Sequence, residues 1–331
     1  MSYKSIWDFG REGKANYSVH TIGEYPSKIR PIVFANVVER FSKEGDIILD
    51  PFCGCGTMAV EAKLQGRNSI NYDINQNAIE LTRKKLDSLT KQEMIKAYME
   101  LMKDLEKDFQ TILGNGDLEY KSKFKQEQSK KEFAKLKKKL EEIKKDNSFY
   151  HKTKHITEIK DARVINYIED IKKIDPNKEF VDSIITDIPY ASMIKYSDLK
   201  DDLSTIEDYD TFLDELSKSF IKMTDILKKD GYCVIFVADY RVGASRKILP
   251  IHADVINIMR DLGLTLFDTY IWRYYRSGGF RPFGKRPYQA MNIHTYILVF
   301  HKPNGEELNK ANNGVRYRKK LIEKIENNKT L

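Results

Sequence analysis

No run of eighteen apolar residues occurs in these 331 residues, so no segment is expected to cross a bilayer as a helix. The opening stretch, MSYKSIWDFGREGK, lacks the apolar centre of a secretory signal peptide. Cysteine is scarce. Cys53, Cys55 and Cys233 are too few and too unevenly placed for a disulfide scaffold, and no His/Cys cluster at zinc spacing accompanies them. They read as reduced small residues, which makes the cytoplasm the expected location. Acids are missing from the whole of 269–305. What is present excludes wholesale disorder, since 41% of residues are hydrophobic and 32% charged. Lys plus Arg number 57 against 49 Asp plus Glu, a net charge of +8. That excess hints at a polyanionic partner, although solubility alone also accounts for surface charge. The length allows two domains, or one domain with an insertion.

The charge is unevenly placed. Residues 117–160 hold 14 Lys against 8 acids, a net of +6, and residues 86–116 hold 4 Lys against 6 acids, a net of −2. Both stretches have helical period. Tyr98, Met102, Leu105, Phe109 and Ile112 form one apolar stripe, and Phe133, Leu136, Leu140 and Ile143 form another. Gly114-Asn115-Gly116 between them reads as a turn. Two long antiparallel helices are therefore expected over about 87–150, as an arm inserted into another structure.

Outside the arm, short apolar runs alternate with amphipathic segments. The runs are IILD (47–50), SINYD (69–73), DSIITD (182–187) and YCVIFVAD (232–239); the segments are 57–65, 76–86, 163–173 and 208–228. That alternation predicts an α/β fold with a mostly parallel sheet covered on both faces. TLFDTYIW (265–272) and HTYILVF (294–300) follow with no clear helix between them, as in a hairpin that places an antiparallel strand near one edge.

DPFCGCGTMAVEA (50–62) follows the first run and opens a helical segment. Gly54 and Gly56 let the backbone turn tightly and approach a ligand without a Cβ. Ligands of such sheets sit beyond the carboxyl ends of the strands, and Asp73 ends the next run, where an acid can accept hydrogen bonds from ribose hydroxyls. A nucleoside-bearing cofactor is expected. Gly54-x-Gly56-x-x-Ala59 formally fits a dinucleotide fingerprint as well, and the loop lacks the Lys-Ser/Thr of a nucleoside-triphosphate site.

Further motifs narrow the choice. TDIPYASM (186–193) follows DSIITD directly. The chain resembles the amino-methylating DNA methyltransferases that use S-adenosylmethionine. DPFCGCGT resembles the family's D-P-F-x-G-x-G-T loop, NYDIN (71–75) its acidic second motif, and KDAR (160–163) the third, whose acid lies near the adenine of the cofactor. TDIPY resembles the catalytic D/N/S-P-P-Y/F. HTIGEYPSKIRP (20–31) resembles the segment that holds the methionine end of the cofactor, and YILVFHK (296–302) the last family strand. The likeness covers 20–86 and 155–303 in order and leaves the arm outside. It departs at one place, where Ile188 stands for the usual proline. A backbone carbonyl survives that change, though the loop loses rigidity.

The resemblance implies a Rossmann-like methyltransferase fold with a seven-stranded sheet. A catalytic domain would span 1–86 and 151–303, with the arm at 87–150 and a basic tail at 304–331. It implies cofactor contacts at Tyr25, Ser27, Lys28, Asp50, Pro51, Phe52, Gly54, Gly56, Thr57, Asp73, Ile74, Asp161 and Ala162. Catalysis would fall to Asp187, Ile188, Pro189 and Tyr190. Asp187 and the Ile188 carbonyl would accept the two amino hydrogens of the target, favouring the developing cationic nitrogen. Tyr190 would stack on the base, which must be flipped out of its duplex to reach such a pocket. No metal is expected. Asp rather than Ser at 187 resembles the adenine-specific subset. ILKKDGYCVIF (226–236) also resembles cytosine-N4 members, and members that methylate guanine in tRNA form a third reading. An NAD-dependent oxidoreductase could use Gly54, Gly56 and Asp73, but it leaves TDIPY unexplained.

The acid-free stretch carries Arg273, Arg276, Arg281, Lys285 and Arg286 interleaved with Tyr274, Tyr275, Phe280, Phe283 and Tyr288, and glycines and prolines mark 273–292 as a loop. Such a loop suits phosphate contact and base stacking on double-stranded DNA, and Arg241 in ADYRVGASRKI (238–248) is a second candidate contact. The basic half of the arm has three readings: it embraces DNA, mediates dimerisation, or is solvated. Monomer or homodimer, and a cognate restriction endonuclease, stay open at this point.

Overall fold

The computed structural model describes residues 5–8, 18–26, 28–114, 119–146, 152–190, 196–242, 247–273 and 294–304; side chains of 8, 18, 104–126, 128, 129, 132 and 240–242 are outside it. Ten strands are described: β1 (Ile6–Asp8), β2 (Ile47–Asp50), β3 (Asn68–Asp73), β4 (His155–Ile159), β5 (Val181–Asp187), β6 (Leu227–Val237), β7 (Tyr240–Val242), β8 (Lys247–Leu249), β9 (Thr265–Arg273) and β10 (His294–His301). The helices are α1 (Pro31–Phe41), α2 (Thr57–Leu64), α3 (Gln76–Ser88), α4 (Lys91–Gly114), α5 (Glu119–Lys145), α6 (Ile168–Ile174), α7 (Tyr209–Asp225) and α8 (Ile251–Asp261).

Eight strands form one sheet in the order β1-β9-β10-β6-β5-β2-β3-β4. It is parallel except for β10, which runs antiparallel to β6 and β9. The Rossmann-like α/β expectation holds, hairpin included, but the count of seven does not: β1 adds an eighth strand, parallel to β9 with Trp7 opposite Trp272. Three residues are too short to show a period. Packing holds them instead, with the buried Trp7 ring 4.9 Å from Tyr270 and the Arg40 guanidinium 5.2 Å over it.

Strand residues alternate between two cores. Ile47 and Leu49 face one with Ile184, Phe212, Phe220 and Met259, while Ile48 and Ile185 face the other with Val33, Phe34 and Met58. The chain leaves β2 outward to β3 and β4, then crosses back to lay β5 on the other side of β2. Strand order thus reverses between β2 and β5, and a crevice opens beyond their carboxyl ends.

The arm is the pair α4 and α5, with Gly114 ending α4 and Asn115 and Gly116 outside the described residues. Lys91 Nζ donates to the Lys144 carbonyl at 3.1 Å, so the start of one helix meets the end of the other. Its root is not free-standing. Met94, Ala97, Tyr98, Leu140 and Ile143 form a third core with Val60 and Leu64 of α2, and the Tyr98 hydroxyl donates to the Leu64 carbonyl at 2.6 Å. Lys139 pairs with Glu44 at 2.8 Å in the turn entering β2, and Lys135 pairs with Glu39 of α1. Leu64 and Glu44 lie at the amino ends of the strands, opposite the crevice. No described helix is long and apolar enough to cross a membrane.

Candidate active site

The glycine loop spans the turn from β2 to α2. Gly54 and Gly56 both have positive φ, +49° and +74°, and a Cβ on Gly54 would come within 3.0 Å of the Tyr25 ring. Asp73 shapes this loop from the end of β3. Its Oδ2 accepts from the Gly54 N–H and its Oδ1 from the Asn75 N–H, both at 2.9 Å. A carboxylate offers about four lone-pair sites, so each oxygen can still accept a ligand hydroxyl.

An open cleft of about 850 Å³, solvent at its mouth included, lies beyond β2, β3 and β5. Tyr25, Lys28, Asp50, Pro51, Phe52, Gly54, Thr57, Asp73, Ile74, Asp161 and Ala162 line it, and so do Asp187, Ile188 and Pro189. Residues far apart in sequence thus converge on one space. Gly56 does not line it; it faces α3, where a Cβ would meet Thr82 at 2.5 Å. Ser27, Arg276, Arg281, Lys285 and Arg286 lie outside the described residues, as does the Arg241 side chain. Arg273 ends β9, exposed, opposite His294. Asp161 is claimed by Arg163, whose Nη2 reaches its Oδ2 at 2.6 Å while Nη1 reaches Glu215 at 2.9 Å. Partial burial works against its charge, but that guanidinium holds it below the ordinary carboxylate range.

The cleft's acids are crowded. Burial raises Asp187 to about 8, with the neighbouring Asp50 charge adding to the effect and the Tyr190 hydrogen bond opposing it. Burial raises Asp50 to about 7 against a 2.7 Å bond from the Thr186 hydroxyl, and Asp73 to about 6 against its backbone donors. A low-dielectric cleft bearing these acids favours a ligand with a cationic centre.

Tyr190 is placed differently from the expectation. Its ring is buried in the core with Ile188, and its hydroxyl donates to Asp187 Oδ1. In this arrangement the ring offers no platform to a base, and the hydroxyl occupies an acceptor site on Asp187.

Sequence reading missed Pro26, Ile29, Phe34, Cys53, Cys55, Lys160, Tyr196, Asp201, Asp202 and Leu203, all of which line the cleft. Tyr196 stacks on Tyr25 with ring centroids 6.0 Å apart, and its carbonyl accepts from Asn75 Nδ2 at 2.9 Å. Asp202 accepts from the Ser204 N–H at 2.8 Å and the Ser197 hydroxyl at 2.6 Å. The only advance signal was the acid-rich SDLKDD (197–202) soon after TDIPY. No described cluster of His, Cys, Asp and Glu could hold a metal ion.

A family model described as DNA methylase, of the N6/N4 type, matches residues 1–84 and 181–330. The Type II methyltransferase M.HpaI of Haemophilus parainfluenzae is 32% identical over 84 residues, 25% of this chain and 26% of that enzyme. M.MjaVI of Methanocaldococcus jannaschii, also a Type II methyltransferase, is 28% identical over 153 residues, 44% of this chain and 75% of that one. The DNA adenine methyltransferase YhdJ of Escherichia coli K12 is 30% identical over 83 residues, 25% of this chain and 27% of that enzyme. The match therefore spans about a quarter of the Haemophilus and Escherichia enzymes.

Proposed function

This chain belongs to the N6/N4 DNA methylase family, and on that premise we propose that it moves a methyl group from S-adenosylmethionine to the exocyclic amino group of a flipped DNA base. The observation that carries the reading is one cleft lined by the glycine loop on one side and Asp187-Ile188-Pro189 on the other. The residues suit the cofactor. Asp73 keeps acceptor sites for ribose hydroxyls, the acids suit a sulfonium and an amine, and Lys28 suits a carboxylate.

When bound, the cofactor supplies an electrophilic methyl group on sulfur. The chain's own part is to prepare the nucleophile. The lone pair of an exocyclic amine is delocalised into its ring, so the group must pyramidalise before it attacks. Asp187 Oδ1 and the Ile188 carbonyl, adjacent on one loop, accept the two amino hydrogens and favour that geometry. The Asp187 carboxylate, or a water beside it, then takes the released proton. Tyr190 has to leave Asp187 for this exchange; its ring, once out of the core, is free to stack on the base. Alignment of amine, methyl and sulfur carries much of the rate.

Adenine-N6 is the favoured target, because Asp stands at 187 and because the similar Escherichia enzyme is named for adenine. Double-stranded DNA is the proposed partner, held by the basic, acid-free 269–305 segment, and the cytoplasm the proposed location. Tritium transfer from labelled cofactor to genomic DNA, followed by separation of the digested nucleosides, tests the reading. Label in N6-methyladenine is expected. Label in N4-methylcytosine overturns the choice of base, and label in tRNA alone overturns the choice of nucleic acid. NAD binding without any S-adenosylhomocysteine binding favours an oxidoreductase instead.

A further inference from the structure

Lys85 on α3 is fully buried, and its Nζ donates to the Cys55 carbonyl at 2.8 Å. One turn earlier, the Thr82 hydroxyl donates to the Gly54 carbonyl at 3.0 Å. Two successive carbonyls of the glycine loop are thereby drawn back onto α3. A trans peptide points its N–H opposite its carbonyl. Fixing the Gly54 carbonyl therefore turns the Cys55 N–H away from Thr82, to the side on which Cys55 lines the cleft. Among the described residues no acceptor is bonded to that N–H.

The charges converge on the same place. Lys28 lines the cleft and its Nζ donates to the His20 carbonyl. Among the described residues, neither Lys28 nor Lys85 has a carboxylate within ion-pair distance; each is bonded to a carbonyl. Partial burial, and next the charge of Lys85, push the Lys28 ammonium below its ordinary range. Cations brought together out of water without an anion cost stability. A ligand that carries an anion to this end of the loop offsets that cost. The cleft's other lining residues include the acids Asp50, Asp73 and Asp187, so the cationic pair stands among carboxylates without bonding to one.

We propose that Lys85 and Thr82 are positioning residues for the carboxylate of the bound cofactor: Thr82 aims the Cys55 N–H into the cleft, while Lys85 fixes the next peptide of the loop and adds to the positive field that Lys28 presents there. Neither side chain lines the cleft, so both act through the loop. The proposal rests on the S-adenosylmethionine reading above. Its ordinary competitor is a buried lysine that merely props up the loop.

The two roles separate on a pair of nucleosides. S-adenosylhomocysteine carries the amino-acid carboxylate, and 5′-methylthioadenosine shares its nucleoside but lacks it. Calorimetry on the intact wild type, Lys85→Met, Lys85→Arg and Thr82→Val compares the two ligands. Lys85→Met is expected to weaken S-adenosylhomocysteine about tenfold or more and 5′-methylthioadenosine less than about twofold, with Lys85→Arg recovering part of the loss. Thr82→Val should weaken the first ligand selectively by a smaller factor. Equal weakening of both ligands, or no weakening of either in a variant that still melts cooperatively, overturns the proposal. If Lys85→Met does not fold, the same ratio in Thr82→Val decides. A wild type that binds neither ligand overturns the cofactor reading and this proposal with it.

Discussion

At the β2–β3 end of the cleft, Asp73 accepts two backbone N–H groups while Thr82 and Lys85 tie down two loop carbonyls from below. At the β5 end, Asp187 accepts from a hydroxyl on its own loop, and the next peptide is tied by a long 3.4 Å bond from the Ile188 N–H to the Phe236 carbonyl. The first end is a cradle whose partners are scaffold atoms, suited to holding a ligand in one fixed pose. The second holds a tyrosine hydroxyl at the place where the proposed reaction would bring an amino group. Binding and chemistry should therefore separate between the two ends.

The sharpest way to break that division is Asp187→Ala. It should lower the methyl-transfer rate by about 10²–10³-fold or more, with S-adenosylhomocysteine affinity unchanged by calorimetry; a matching loss of affinity would merge the two ends. Gly56→Ala strikes the other end. The position has φ +74° and a Cβ would sit 2.5 Å from Thr82, so a destabilisation of about 1–3 kcal/mol is expected, read by denaturant melts, together with a weaker cofactor complex.

Protonation gives a smaller, graded test. Asp187 moves from 3.8 in the unfolded chain to about 8 in the folded one, so the native state holds an extra proton between those values. Stability of the ligand-free protein should fall as pH rises from about 4 to about 8 and then level, and Asp187→Asn should remove part of that fall. Transfer needs the ionised acceptor, so activity should climb with pH across the upper part of this range. Tyr190→Phe removes a bond that lowers the Asp187 value in the ligand-free protein, so the rise of kcat/KM, which reports the free enzyme, should move to higher pH. A rise that does not move would detach the hydroxyl from Asp187 function.

The arm, remote from both ends, supplies the smallest effects. Lys139→Ala breaks a pair with the exposed Glu44 and should cost no more than about 1 kcal/mol, with neither cofactor affinity nor rate changed. Neutralising Lys130, Lys131, Lys137, Lys138 and Lys139 together should weaken DNA binding and flatten its salt dependence if the arm embraces DNA. Lys131 and Lys139 already pair with Glu127 and Glu44, so Lys130, Lys137 and Lys138 carry most of that expectation. An unchanged salt slope removes the arm from the DNA interface.

How far the sequence could be read depended on length and on whether burial left a pattern. β2, β3, β5, β6, β9 and β10 are apolar runs bounded by acids or turns, and all six are legible within a few residues. β4, HITEI, has only one fully buried residue and sits at a sheet edge, so no alternation marks it. β1 is shorter than any usable period. In the site, residues within motifs were legible because spacing fixes them. Tyr196 and Asp202 were not, since they reach the cleft through a 3₁₀ turn at Leu203–Thr205 and its Asp202 cap rather than a strand end. Lys85 was hidden differently: among RKK (83–85) it resembles surface charge. Yet it falls three residues after Thr82 and seven after Ala78, on the buried stripe of α3. That placement was the available signal.

The third core at the root of the arm bears on how this protein can be cut and rebuilt. All eight residues of α2 are buried, and the root of the arm is one of the surfaces that bury them. Excising 87–150 whole would uncover Val60 and Leu64 of α2, the helix that follows the glycine loop. A shortened protein should keep the stretches around Met94–Met102 and Phe133–Ile143 and be rejoined further out. The inner arm belongs to the packing of the helix that carries the glycine loop forward, and any shortening has to leave it in place.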